Sequence, residues 1–387
     1  MAALAAVDDY RALARRRLAR IAFDYLDGGA EDGGALARNR AAFAALRFEP
    51  RVLRDVREVD TGVELFGRRQ AWPVLVGPTG LNGLYAPRAE EALARAARDA
   101  GVPFVLSTAS NSLLEDVRAA SDGDLWLQLY VSQDRRIAED LMRRARAAQF
   151  STLMLTVDTQ VHGKRDHDIR NGFRIPMPLT PRLAADVLTH PRWCWRMLRQ
   201  GGSPQFLNLA RSAGLGPGLR AQAGLLGRSM DTGLHWADLD WLRRHWPGRL
   251  VVKGVLAADD ARLAAEHGAD GIVVSNHGGR QLESAPSALQ ALPAIQAAAS
   301  GMTVMVDGGV RRGADIAKAC ALGAAAVLLG RAPLYGLAAR GARGAAEVLG
   351  LLRNEFETTL RLIGEPQAAR LHAGVLAAGS VQRLQAL

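Results

Sequence analysis

Eight short apolar runs rich in β-branched residues recur along the chain, each bounded by glycine, proline or polar residues. They are 73–77 (PVLVG), 103–107 (PFVLS), 125–130 (LWLQLY), 152–157 (TLMLTV), 250–253 (LVVK), 271–275 (GIVVS), 303–306 (TVMV) and 326–329 (AVLL). Runs without polar alternation suit strands covered on both faces, as in a parallel sheet between helices. Ala-rich or Leu-rich stretches of helical period follow most of them, at 88–100, 134–148, 258–267 and 312–322. Eight β/α units favour closure, so the expected fold is of the α/β class, a (β/α)8 TIM barrel over about 70–332.

An amphipathic segment at about 8–27 precedes the barrel and a long helix at about 333–363 closes it, which predicts a single domain over 1–387. One connection breaks the rhythm. About 75 residues separate the fourth strand, ending at Val157, from the helix near 236–246, and a loop of that length is usually functional or mobile.

Charge and cysteine usage narrow the partners. With 49 Lys and Arg against 39 Asp and Glu the net charge is +10 and the pI about 10.4, a balance suited to anionic lipid, small anionic ligands or nucleic acid. No RNP-like, zinc-finger or basic-helix pattern is present, so nucleic acid is not an expected partner. Cys194 and Cys320 lie far apart without metal-ligand spacing, which points to a reducing cytoplasm rather than a disulfide framework. Asp8 and Asp9 stand ahead of Arg15, Arg16 and Arg17, the reverse of a secretory leader, and no apolar run approaches bilayer-spanning length.

Barrels of this kind assemble their active sites where strands end. Just past the eight runs stand Pro78-Thr79-Gly80, Ser107-Thr108, Gln128 and Tyr130, Thr156 and Asp158, Lys253, Ser275-Asn276-His277 with Arg280, Asp307-Gly308-Gly309-Val310-Arg311, and Gly330-Arg331. The last two groups predict a phosphate site, because glycines let backbone N–H groups approach an anion and arginines add bidentate charge. Lys253 ends an apolar strand, where a charge is costly unless it meets an anion or a polar ligand. His277 and Arg280, three residues apart in a glycine-containing loop, can face one small ligand, and histidine is the side chain best poised for proton transfer near neutral pH. Arg165 and Asp168 open the long insertion. His162 and His167 lie beside them, but their spacing matches no zinc motif, so no metal is expected.

Together, SNHGGRQL, DGGVRRGADI and LLGR resemble the FMN-dependent 2-hydroxy acid dehydrogenase and oxidase family over about residues 8–365. PTGLNG at 78–83, FDYLDGGAED at 23–32, LSTASN at 106–111, HPRW at 190–193 and LYGLAARG at 334–341 are most similar to its (S)-mandelate dehydrogenase branch, with the L-lactate dehydrogenases next. The resemblance implies FMN as cofactor. Pro78, Thr79 and Gly80 would lie against its ring, Ser107, Gln128, Thr156, Lys253 and Ser275 at the ring edges, and Asp307, Gly308, Gly309, Val310, Arg311, Gly330 and Arg331 along ribityl and phosphate.

The same resemblance implies that Tyr25, Arg165 and Arg280 hold a substrate carboxylate and that Tyr130 contacts the 2-hydroxyl. His277 would take a proton, Asp158 would pair with it, and Lys253 would stabilise the reduced ring electrostatically. The implied reaction oxidises an (S)-2-hydroxy acid, (S)-mandelate to benzoylformate first and L-lactate second. Gly80 stands where oxidase members carry alanine, which implies a quinone or other carrier as acceptor, with a hydroxy acid oxidase using oxygen as the alternative. A phosphate-binding barrel isomerase or lyase is the rival reading. In the insertion, 176–215, Trp193, Trp195, Met197 and Leu198 interleave with Arg192, Arg196 and Arg199, a pattern suited to an anionic membrane surface. With the family's implied homotetramer, the expectation is a cytoplasmic protein held peripherally on the inner face of the cell membrane.

Overall fold

In the computed structural model of the chain, which describes residues 3–174, 180–199, 202, 204–215, 230–299 and 301–387, the eight runs are the strands of one closed parallel barrel. They are β1 (Val74–Val76), β2 (Phe104–Ser107), β3 (Leu125–Leu129), β4 (Thr152–Thr156), β5 (Arg249–Val255), β6 (Gly271–Val274), β7 (Thr303–Asp307) and β8 (Ala326–Leu329). Each pairs with the next, and β8 closes on β1 through Val327 opposite Val74.

Alternation along each strand sorts its side chains. Leu75, Val105, Trp126, Met154, Val251, Val273, Met305, Ala326 and Leu328 point inward and fill the barrel as one buried cluster, while their sequence neighbours pack outward against the helices. A hairpin of Val63–Leu65 and Arg68–Gln70 covers the N-terminal mouth, and Phe66 at its tip packs on Trp126 with ring centroids 5.8 Å apart. That end is plugged, so the opposite end is left to bind.

Element boundaries differ from the sequence reading in three places. The expected N-terminal segment is two helices, Val7–Arg17 and Arg20–Asp27. The expected closing helix is also two, Arg331–Arg340 and Ala342–Ile363, which fold back on each other so closely that a Cβ on Gly336 would lie 2.2 Å from the Gly344 carbonyl oxygen. Strand β5 runs two residues past Lys253, with a register shift at Gly254. Of the 176–215 insertion, residues 176–179, 200, 201 and 203 lie outside the described residues. Among the others are helices Pro181–Leu188, Pro191–Arg199 and Leu207–Ser212. Cys320 is buried in the helix after β7.

Candidate active site

One step of alternation beyond the inward cluster, each strand places a small or polar residue at the open end: Gly77, Ser107, Gln128, Thr156, Lys253, Ser275, Asp307 and Gly330. The change from apolar filling to polar ring is what turns a packed barrel into a cavity floor. The cleft above it, mouth included, comprises about 1340 Å³.

Lys253 is 4 % exposed and meets an anion, as its placement demanded. Its Nζ donates to Ser275 Oγ at 2.8 Å and lies 3.0 Å from Asp307 Oδ2. Burial favours the neutral amine, but Asp307 and Asp158 outweigh it and raise the Lys253 pKa, so the ammonium is retained. Asp307 lines the cavity with Oδ1 unpartnered, while its other oxygen is spent on Lys253.

His277 has a left-handed backbone (φ 57°), followed by Gly278 (φ 61°) and Gly279 (φ 73°). A non-glycine residue held there costs about 1–3 kcal/mol and persists only when its surroundings enforce it. Here the enforcement is visible. The His277 N–H donates to Ser275 Oγ, and Nδ1 lies 2.9 Å from Asp158 Oδ1. Gln281 ties the two loops, donating from Nε2 to the carbonyls of Asp158 and Val161 and accepting from Gly163 N–H. Gly254 makes room for the acid, since a Cβ on it would stand 2.7 Å from Asp158 Cβ. Burial works against the Asp158 carboxylate, but His277 and Lys253 together hold its pKa below the ordinary value.

Beside the histidine, Arg280 and Arg165 stack on Tyr25, with guanidinium carbons 4.8 and 5.6 Å from the ring centre. Phe173 stacks on the same ring with centroids 4.4 Å apart. Arg280 Nη1 donates to the Tyr25 and Gly28 carbonyls. Arg165 lies 3.4 Å from Asp168, with Nη1 making no hydrogen bond among the described residues. Burial chiefly, against the pull of Arg165 and Arg280, raises the Asp168 pKa, which weakens it as a competitor for the arginines. Tyr130 lines the cavity, and burial, then Asp158 and Tyr25, push its phenol far up. Its hydroxyl therefore stays protonated and can donate.

At the other end of the cleft, Gly308, Gly309, Val310, Arg311, Gly330 and Arg331 form one wall. Arg311 Nε is buried and unpartnered, and its guanidinium sits 5.4 Å from the Tyr335 ring centre. The Arg331 guanidinium donates to the carbonyls of Leu26, Gly28 and Gly278. Burial first, then Arg280, lowers its pKa to about 10, so it stays charged at neutral pH. Its side chain braces the Tyr25 helix and the His277 loop, and the helix it starts offers backbone N–H groups to an anion.

Pro78, Thr79, Gly80, Ser107, Thr156 and Lys253 all line the cleft, whereas Gln128, Ser275 and Asp158 stand behind its wall and act on residues that do. Gln128 accepts from Ser107 Oγ and leaves Nε2 unpartnered, and Thr156 Oγ1 is unpartnered too. Buried donors and acceptors left open along the ring edge, with a cationic wall beyond, fit a polar planar cofactor carrying a phosphate. Sequence reasoning missed Tyr85, Ala109, Thr159 and Met230, which also line the cleft. They lie in loops or a short 3-10 turn, where no periodicity marks direction. Among the described residues no group of three or more His, Cys, Asp or Glu is placed to hold a metal.

Comparison with known proteins agrees with this chemistry. The family model described as FMN-dependent dehydrogenase matches residues 14–378. The (S)-mandelate dehydrogenase of Pseudomonas putida is 48% identical over 365 residues, 94% of this chain and 92% of the relative. The L-lactate dehydrogenase of Caulobacter vibrioides is 46% identical over 370 residues, 95% and 96% of the two chains. A crystal structure described as the monotopic membrane protein (S)-mandelate dehydrogenase superposes with a TM-score of 0.94 at 47% identity, covering 97% of this chain and all of that one. These matches displace the isomerase or lyase reading: the chain belongs to the FMN-dependent dehydrogenase family, as an oxidoreductase of 2-hydroxy acids that uses FMN.

Proposed function

We propose that the chain oxidises an (S)-2-hydroxy acid to its 2-keto acid, with (S)-mandelate to benzoylformate as the foremost reaction, and passes the electrons to a quinone or another membrane carrier. The observation that carries the reaction type is the His277–Asp158 pair, 2.9 Å apart, opening on a cleft where Arg165 and Arg280 flank Tyr25. The substrate preference rests on the P. putida relative, and the L-lactate dehydrogenases, nearly as similar, make lactate the second candidate.

Arg165, Arg280 and Tyr25 hold the carboxylate, and Tyr130, protonated, donates to the 2-oxygen. His277 takes the proton released from the substrate, and the Asp158 charge stabilises the imidazolium so formed. FMN, when bound, would accept the two electrons together with the substrate's other proton. Lys253 keeps a positive charge at the cavity floor, and Arg311 with the Gly308–Gly309 and Gly330 backbone holds the phosphate. Gly80 supports a carrier rather than oxygen as acceptor.

Peripheral attachment to the inner face of the cell membrane rests on the helix Pro191–Arg199, and it needs a narrower set of residues than the sequence pattern offered. Trp193 and Met197 are buried, and Trp193 Nε1 donates to the Leu84 carbonyl. Leu188 (79 % exposed), Trp195 (58 %) and Leu198 (64 %), with Arg192 and Arg199, remain outward. The crystallised relative is described as monotopic, and no described helix is long and apolar enough to cross a membrane. For the expected homotetramer, the highly exposed apolar residues Val52, Leu53 and Leu362 are candidates for burial between subunits.

The test is anaerobic flavin reduction with (S)-mandelate, L-lactate and glycolate side by side. Fastest reduction by (S)-mandelate is expected. A colourless protein that cannot be reconstituted with FMN, or a flavin that none of the three acids reduces, would sink the proposal.

A further inference from the structure

Tyr85 is a buried phenol at the cleft that no role above employs. It follows the short 3-10 turn Asn82–Leu84, is 2 % exposed, and lines the same cavity as Tyr25, Arg165 and Arg280. Its backbone N–H is satisfied by the Asn82 carbonyl, yet among the described residues its hydroxyl has no hydrogen-bond partner. The hydroxyl oxygen is not one of the buried atoms cut off from solvent without a partner, so it opens on the cleft that the residue lines. A donor left open on a binding cleft is free to meet a ligand there.

The surroundings say which kind of ligand. The charged and titratable groups acting on Tyr85 are Tyr25, Asp168, Arg280 and Arg331. Burial first, then Tyr25 and Asp168, push its phenol well up against the two arginines, so the hydroxyl is protonated throughout the working range and is a donor. It is held firmly. The turn before it is pinned by Gly83 N–H donating to Asn111 Oδ1 and by Asn82 Nδ2 donating to the Thr79 carbonyl. A fixed donor that shares its corner with two arginines faces anionic chemistry rather than the apolar side chain of a hydroxy acid.

We propose that Tyr85 is a further substrate-binding residue, its hydroxyl donating to the carboxylate of the hydroxy acid in the corner it shares with Tyr25 and Arg280. The inference rests on the proposed oxidation of 2-hydroxy acids and adds a donor to that site. Because every such substrate carries the carboxylate, the contribution is the same whatever the rest of the molecule. Because the carboxylate does not change its charge during oxidation, the contribution falls on binding rather than on the chemical step.

Tyr85→Phe removes the hydroxyl and leaves the ring, and flavin absorbance shows whether the variant folds and keeps its cofactor. Steady-state kinetics with (S)-mandelate, L-lactate and glycolate, together with the binding of oxalate followed by the flavin spectrum, are then compared with wild type. A lost hydrogen bond to a charged group predicts KM and the oxalate Kd higher by roughly 10- to 100-fold, by a similar factor for every ligand, with the loss on KM rather than kcat. Unmoved KM and Kd values would overturn the inference, and so would a factor that tracks the size of the substrate side chain, which would make Tyr85 a wall for that group. If wild type reduces its flavin with none of the acids, the proposed function fails and takes this inference with it. If wild type reduces its flavin and Tyr85→Phe matches it, only the role of Tyr85 is lost.

Discussion

Replacing Asp158 by Asn tests the centre of the proposed chemistry while preserving its shape. The amide oxygen can still accept from a neutral His277, so the ring keeps its orientation, and what disappears is one negative charge beside the imidazolium. With Nδ1 and Oδ1 2.9 Å apart, the charge centres are about 4 Å from each other, and their attraction is about 4 kcal/mol at an effective dielectric of 20 and about 1 kcal/mol in bulk water. Side-chain exposures of 23 % for His277 and 13 % for Asp158 put the pair toward the less screened limit, so about 2–4 kcal/mol of transition-state stabilisation is at stake. At about 1.4 kcal/mol per tenfold, flavin reduction slows roughly 30- to 1000-fold. The assay is anaerobic stopped-flow reduction at saturating (S)-mandelate, with α-deuterated substrate to verify that the measured step breaks the Cα–H bond. The substrate Kd should stay close to wild type, because the carboxylate anchors are untouched. Reduction within twofold of wild type, with the isotope effect intact, would refute the assignment of Asp158 as the charge that supports His277.

Other expectations follow from separate parts of the structure. Arg311→Met leaves a space where a buried, unpartnered Nε stood, so FMN affinity should fall roughly 10- to 100-fold in a fluorescence titration, and an unchanged affinity would remove Arg311 from the phosphate site. Asp27 binds Arg11 through two short bonds and accepts from the Tyr335 hydroxyl. Although burial raises its pKa, these partners win and lower it. Asp27→Asn should therefore cost about 1–2 kcal/mol at neutral pH, allowing for the exposure of Arg11. Because the folded pKa is depressed, this stability is present above the ordinary carboxylate value near 4 and is lost as pH falls through the lower folded value. Denaturant melts that show the same wild-type-to-variant gap at pH 7 and at pH 2 would contradict it. Exchanging Trp195 and Leu198 for Gln should reduce sedimentation with anionic vesicles while leaving flavin turnover with an artificial acceptor intact, and equal sedimentation of variant and wild type would end the case for that helix as a membrane contact.

Much of the barrel was legible because strand alternation is a local property. An apolar run without polar partners must be covered on both sides, and its last inward residue is set by counting in twos from the buried filling, so Ser107, Gln128, Thr156, Lys253, Ser275 and Asp307 could be picked out from the chain. The motifs around His277, Asp307 and Gly330 added the family and its cofactor. Tyr85, Thr159 and Met230 escaped because loops and short turns carry no period from which a direction can be read.

What the sequence by itself determined, then, is the barrel, the end of it that binds, and the kinds of side chain at that end. Only the tertiary structure decided their partners. Ring closure lets Asp307 on β7 reach Lys253 on β5, Gly254 yields space for Asp158 to meet His277, and the Arg331 guanidinium finds three carbonyls to brace. It also divided the aromatic helix of the insertion, burying Trp193 and exposing Trp195. The physical reason is common to all four. A residue's period and propensity belong to its neighbours in the chain, whereas the partner of a buried charge or the covering of an apolar face comes from segments far away in sequence, and that choice exists only once the chain has closed on itself.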